Sequence, residues 1–354
     1  MIKGRISWVF AASILFLPGC SHAQVQYSPV RFTAFTSERE RAIVQYGLDH
    51  HCVIPDSAML DRARDLVSEW FKKLPAEPDA DLATRLRELR LQSFAVVSGG
   101  VTYFGLEELE PYTFGFGIVM VRADYPKGDS KLFVEIPHPL FDEGTPAMGG
   151  QALDTLAPAF YLQAGAHRYC NDRQMRLTHP FGSVTDPAHS SQTFFHVAHL
   201  ALVPFANTIV QLHGFGRSHT ELYSANPPVD IILSPGTVDA VSTPYQETLR
   251  EVKSALNAQG LTVRTFPAET NELTAVENIQ GIATRVLPGK QFLHLEARSE
   301  SRSSMAARQR IIQALFNALA HPNSCATPLL LIPDAGKSAW VRPACEKYSP
   351  KPNS

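Results

Sequence analysis

Apolar residues recur at helical spacing from 58 to 74, with Leu60, Ala63, Leu66, Val67, Trp70 and Phe71 on one face and Pro75 as the stop. The spacing predicts a helix there and a second over 81–91. The period then changes. Segments 93–98, 101–104 and 113–122 are rich in Phe, Val, Tyr and Gly and read as antiparallel strands. After Lys131 short apolar runs alternate with helical stretches. Strands are expected at 131–137, 208–213, 230–233, 261–266 and 291–297, and helices around 146–163, 190–203, 244–258 and 303–320. That alternation predicts an α/β fold, a three-layer sandwich with a mixed, mostly parallel sheet, carrying an N-terminal helical extension. The earlier strands would pair onto the edge of the same sheet.

Four stretches follow from this pattern: a leader at 1–23, the helical extension with edge strands at 24–112, the α/β domain at 113–322 and a loop-rich tail at 323–354. In the leader, Lys3 and Arg5 precede an apolar run from Ile6 to Leu17, the layout of a secretory signal. The run is short for a bilayer, and no later segment reaches about 18 uninterrupted apolar residues. Ser21-His22-Ala23 offers small residues to a signal peptidase before Gln24. Leu17-Pro18-Gly19-Cys20 resembles a bacterial lipobox, with Pro18 out of place in it. The expected location is therefore periplasmic or secreted, with membrane attachment only if Cys20 is lipidated.

Loss of residues 1–23 leaves Cys52, Cys170, Cys325 and Cys345. An even count in an oxidising compartment suggests two disulfides, of which Cys325–Cys345 is preferred because it closes a Pro-rich loop. The spacings do not match a cysteine zinc site, whose ligands cluster two to four residues apart.

Composition narrows the classes. The 354 residues are 44% hydrophobic and 19% charged, which excludes a disordered tail or a disulfide-dense miniprotein. Lys plus Arg number 32 against 34 Asp plus Glu, so no basic excess exists for a phosphate backbone and nucleic acid is not an expected partner.

Ligands of open α/β sheets bind beyond the carboxyl ends of the strands, and three predicted strands end in chemistry. KLFVEIP delivers His138, followed by Asp142 and Glu143. TIVQL runs into His213 and Gly214-Phe215-Gly216. In FLHLEAR, period two puts His294, Glu296 and Arg298 on one face. Two imidazoles and a carboxylate meet the requirement of a catalytic site for one zinc ion, which keeps one position open for water. The candidate ligands are His138, Glu143 and His213. Asp142, four residues after His138, is the alternative acid, since a loop tolerates either spacing. Glu296 is placed to serve as general base and acid. Arg298, Arg168 or Arg173 could hold a substrate carboxylate through a bidentate pair.

Each of these residues also has a plain structural reading, since a histidine at a strand end is often a hydrogen-bonded surface residue. His189, His196 and His199 lie on a predicted helix, and His196 with His199 share a face. They are alternative ligands, with His189 or His196 otherwise expected behind the ligands or facing substrate. Gly336-Lys337-Ser338 lacks the earlier glycine of a phosphate loop, because that position is Leu331. No serine stands between the two glycines that a nucleophile elbow needs.

The order of these elements resembles the zinc-dependent exopeptidase and amidohydrolase superfamily, which includes metallocarboxypeptidases, N-formylglutamate amidohydrolases and zinc N-acetylmuramoyl-L-alanine amidases. The resemblance covers about residues 113–320. It implies that His138 and Glu143 match the first His and its acid, His213 in IVQLHGFG the second His, and Glu296 in FLHLEARSESR the catalytic Glu. The helix bearing Arg308 and Arg310 is similar to the one that follows this Glu in N-formylglutamate amidohydrolases. Carboxypeptidases place their acid three residues after the His, where this chain has Phe141. AGAHRYCNDR is similar to the arginine-bearing segment of the formylglutamate group, but Asp172 and Arg173 are not its full signature.

The resulting expectation is an exported, zinc-dependent hydrolase of an amide bond in a peptide, peptidoglycan-derived or N-acyl amino acid substrate with a free carboxylate. The alternative is a catalytically silent periplasmic binding protein for a small acidic ligand or peptide. A third reading is an envelope protein anchored through Cys20.

Overall fold

The first described helix, α1 (Ser57–Lys73), starts where Asp56 accepts a hydrogen bond from Met59 N at 2.7 Å. It stops where Leu74 turns extended ahead of Pro75. The computed structural model describes residues 53–109, 114–125, 131–170 and 184–320, with short strand backbones at 25–26, 330–332 and 339–341. Helix α2 (Ala80–Glu88) follows, capped by Asp79, and Arg90 takes a left-handed φ of 57° to turn the chain into the sheet.

Among the described residues, ten strands form one sheet: β1 (Val25–Gln26), β2 (Leu91–Ser98), β3 (Val101–Glu108), β4 (Ile118–Arg122), β5 (Leu132–Ile136), β6 (Phe160–Gln163), β7 (Thr208–Phe215), β8 (Ile231–Ser234), β9 (Val263–Thr265) and β10 (Gln291–Arg298). The order is β1-β2-β3-β4-β6-β5-β7-β10-β8-β9. The central β6, β5, β7 and β10 are mutually parallel, while β2–β3–β4 form an antiparallel meander joined to β6. The sheet is thus mixed with a parallel centre.

Helices cover both faces. On one, α3 (Thr145–Leu156), α5 (Thr243–Ala258) and α7 (Met305–Leu315) pack Met148, Leu153, Val252 and Ile311 against Val134, Leu212 and Leu295. On the other, α1, α2 and α4 (Phe194–Leu202) pack Trp70, Leu82 and Phe195 against Phe133, Ile209 and Phe292. A further helix, α6 (Ile279–Arg285), is capped by Asn278.

Two predicted elements differ, and one helix was not predicted. The helix expected over 146–163 is two elements, α3 and β6. Ala157 is left-handed, the residue before Pro158 avoids the helical region, and the chain restarts as a strand buried on both faces. Such a strand has no alternation, so periodicity cannot separate it from a buried helix. The strand expected over 113–122 begins only at Ile118, because Gly115 and Gly117 have φ of 66° and 77°. Helix α6 had no expected counterpart.

Cys170 is disulfide-bonded. The preferred pair Cys325–Cys345, Cys52 and the leader with Cys20 lie outside the described residues. Among the described residues, no helix is long and apolar enough to cross a membrane.

Candidate metal centre

Pro137 and Pro139 flank His138 and have no N–H to offer a ladder, so the chain leaves the sheet just after β5. It turns back at once, with Asp142 N donating to the His138 carbonyl at 2.9 Å. That turn lays the Asp142 carboxylate on the His138 ring, with Nδ1 and Oδ2 3.3 Å apart. Strand β7 contributes His213, whose Nδ1 stands 3.2 Å from the same Oδ2. Gly214 N donates to that oxygen at 3.1 Å. In register beside His213, β10 carries Glu296, with Oε1 4.0 Å from His213 Nδ1. All four side chains are buried at the edge of a cavity of about 670 Å³.

The outer ring nitrogens are occupied. His138 Nε2 faces Asp186 Oδ1 at 2.8 Å, and His213 Nε2 faces Gln211 Oε1 at 2.8 Å. Both imidazoles therefore turn Nδ1 toward one carboxylate while Nε2 is held from behind, the arrangement expected of metal-binding histidines and their outer partners. Two imidazole nitrogens and a carboxylate oxygen suit zinc, so the residues present fit the ion.

The electrostatics are those of a dense buried cluster. Burial alone would lower His138, but the Asp186 and Asp142 carboxylates on either side outweigh it and lift it to about 9. Burial opposes ionisation of Asp142 and Asp186, yet His138 and its neighbours hold both below the usual carboxylate range. Burial depresses His213 to about 4 and His294 well below the ordinary imidazole value. Burial, reinforced by the Asp142 charge, lifts Glu296 to about 8. Glu296 Oε2 and His294 Nδ1 are buried without a partner among the described residues.

The structure brings His138, Asp142, His213 and Glu296 together. Glu143 is exposed, and among the described residues its carbonyl is engaged, by Arg302 Nε at 2.6 Å, while its carboxylate meets no partner. The preferred acid thus gives way to Asp142, because the four-residue turn aims position 142 inward and 143 out. Arg168 lines the cavity, its Nη1 3.5 Å from His138 Nδ1 and its Nη2 hydrogen-bonded to Asp186. Arg298 turns instead to Asp230 at 2.8 Å and is not part of the cavity wall. Arg173 lies outside the described residues. His189 lines the cavity and meets Asp186 at 3.1 Å. His196 lies off the cavity, 3.4 Å from Gln280 Nε2 and stacked on His199.

Sequence reasoning missed Asp186, Arg302 and the part played by Gln211. Asp186 had no signal, since nothing periodic leads to it. Gln211 sits two residues before His213, so its place on the same face was available from the strand period. His294 was placed on the Glu296 face but given no role; its Nε2 lies 3.6 Å from Glu296 Oε1.

No protein-family model and no curated protein matches the chain. Among solved structures it is similar to a bacteriophage poly-gamma-glutamate hydrolase, with 15% identity over 54% of this chain and 83% of that one and a TM-score of 0.34. It is also similar to an aspartoacylase family protein from Mesorhizobium loti, with 12% identity, 64% and 67% coverage and a TM-score of 0.34. A metallo-carboxypeptidase from Burkholderia cenocepacia gives 11%, 64% and 63%, and 0.31. These likenesses are remote, and neither a family nor an activity follows from them.

Proposed function

We propose that this chain is an exported, zinc-dependent hydrolase that cleaves an amide bond in a peptide, peptidoglycan-derived or N-acyl amino acid substrate. One observation carries the reading: two buried histidines, one just after β5 and one on its parallel neighbour β7, turn Nδ1 onto the Asp142 carboxylate, with the buried Glu296 carboxylate beside them. His138, Asp142 and His213 would hold the ion. When bound, zinc lowers the pKa of its water and polarises a carbonyl.

The remaining work belongs to the protein. Glu296 takes the proton of the attacking water on a carboxylate oxygen and returns it to the leaving nitrogen. Burial and the nearby Asp142 charge raise that carboxylate's affinity for a proton. Asp186 holds the His138 ring and receives His189 and Arg168 on its other oxygen, tying one wall of the cavity to a ligand. Arg168, the cation among the expected carboxylate holders that reaches the cavity, supports a substrate with a free carboxylate. The layout of residues 1–23 supports export to the periplasm or beyond, with a membrane attachment only through a lipidated Cys20.

The test is metal content and turnover together. Purified wild type should carry about one zinc and His138→Ala/His213→Ala none. Glu296→Gln should keep the metal and lose on the order of 10²–10⁴-fold in kcat on an amide substrate. A folded wild type that takes up no zinc under replete conditions would sink the proposal and favour the silent binding protein.

A further inference from the structure

Below the metal centre the same sheet face carries a second polar layer. Glu135, Gln211 and His294 are lateral neighbours on β5, β7 and β10, one side-chain step before His213 and Glu296. Glu135, Gln211, Asn278 and Gln280 are all buried. Buried amides are costly unless every donor meets an acceptor, and here the partners dictate which way each amide faces.

Two backbone groups set the polarity. Gly281 N, a donor only, gives its hydrogen to Asn278 Oδ1 at 3.0 Å, so Asn278 Nδ2 faces Gln211 Oε1 at 2.5 Å. The Pro187 carbonyl, an acceptor only, takes Gln280 Nε2 at 2.9 Å, so Gln280 Oε1 faces Gln211 Nε2 at 3.4 Å. Gln211 Nε2 also donates to Glu135 Oε2 at 3.0 Å. The other Glu135 oxygen is occupied by His199 Nδ1 at 2.7 Å. Thr284 Oγ1 donates to the Gln280 carbonyl at 2.7 Å and so meets His199 Nε2 as an acceptor, at 3.5 Å. Whichever of Oε1 and Nδ1 holds the proton between them, Glu135 Oε2 remains an acceptor. All constraints agree: Gln211 presents its oxygen to His213.

We propose that Gln211, locked by Asn278, Gln280 and Glu135, is a positioning residue that fixes His213 as its Nε2–H tautomer and so keeps Nδ1 unprotonated for the metal. The lock is set from β5, α6 and the residue that caps α6, not from the ligands themselves. The inference rests on the zinc reading above, but its first readout does not need metal.

Gln211→Met tests it with a change of similar size. Methionine offers His213 Nε2 no acceptor comparable to the amide oxygen, so the ring proton moves to Nδ1, where Asp142 Oδ2 lies 3.2 Å away. Ring nitrogen NMR of metal-free protein should show Nε2–H at His213 in wild type and Nδ1–H in Gln211→Met. Zinc affinity by chelator competition should fall about 10–100-fold in that variant, the usual effect of losing an outer partner. Asn278→Ser keeps a cap and leaves Gln211 held by Glu135 and Gln280, so tautomer and affinity should stay near wild type. Nδ1–H in wild type, or Nε2–H with undiminished affinity in Gln211→Met, overturns the proposal. A wild type with the expected tautomer that binds no zinc removes the zinc reading and leaves the lock standing.

Discussion

Replacing Asp142 by Asn and Glu143 by Gln separates two neighbours that the sequence alone offers as equals. Asp142 Oδ2 gathers His138, His213 and the Gly214 amide, whereas Glu143 contributes a carbonyl that the substitution leaves in place. Asp142→Asn should weaken zinc at least tenfold in a chelator competition, because a neutral amide is a poor ligand and turns a donor toward one of its neighbours. Glu143→Gln should match wild type. Equal losses in both variants would mean that the loop, not the Asp142 carboxylate, makes the site. The distinction was invisible in the sequence because only the Asp142 N to His138 O turn decides which side chain faces inward.

At the scale of elements, β5, β7 and β10 each change character along one face. Phe133 leads to Glu135, Ile209 to Gln211 and His213, and Phe292 to His294 and Glu296, with Phe133, Ile209 and Phe292 in the core. Most of this was legible, since strand period and polar strand ends alone pointed to His138, His213 and Glu296. What stayed hidden was made by contacts distant in sequence. Strand β6 is a fully buried run without alternation, α6 is a short helix with one polar buried side, and Asp186 reaches the site from an irregular segment. Gly214 shows how closely the elements fit. A Cβ there would lie 2.4 Å from Arg302 Cζ, and Arg302 is itself held by the Glu143, Phe215 and Ala297 carbonyls. Gly214→Ala should therefore cost about 1–3 kcal/mol in denaturant unfolding and weaken zinc as well. An alanine variant as stable as wild type would show that Arg302 moves freely.

For the molecule as a whole, two half-buried groups away from the centre make stability depend on pH in opposite senses. Burial lifts Asp154 from 3.8 to about 6, outweighing the Ser98 hydroxyl, which donates to its carboxylate and lowers it. Between about pH 4 and 6 the unfolded chain releases this proton while the folded one keeps it, so this contribution is full below 4 and is lost as pH rises through 6. Burial, with His199 nearby, depresses His196 to about 4, and its contribution is lost as pH falls from 6.5 toward 4. Asp154→Asn removes only the first, so urea unfolding at pH 7 should find it more stable than wild type by about 3 kcal/mol, at about 1.4 kcal/mol per pKa unit. The gap should close near pH 4; a gap that persists there would assign the gain to something other than ionisation. The Arg302 guanidinium has a consequence of another kind. It joins the loop after β5 to the ends of β7 and β10, so none of these three can open by itself without stranding a buried cation. In native-state hydrogen exchange the amides of Asp142, Gly214 and Arg298 should report one shared opening free energy, with a spread above about 1 kcal/mol counting against it. The pocket then exists whole or not at all, and a protease meeting this protein would find no half-open site to enter.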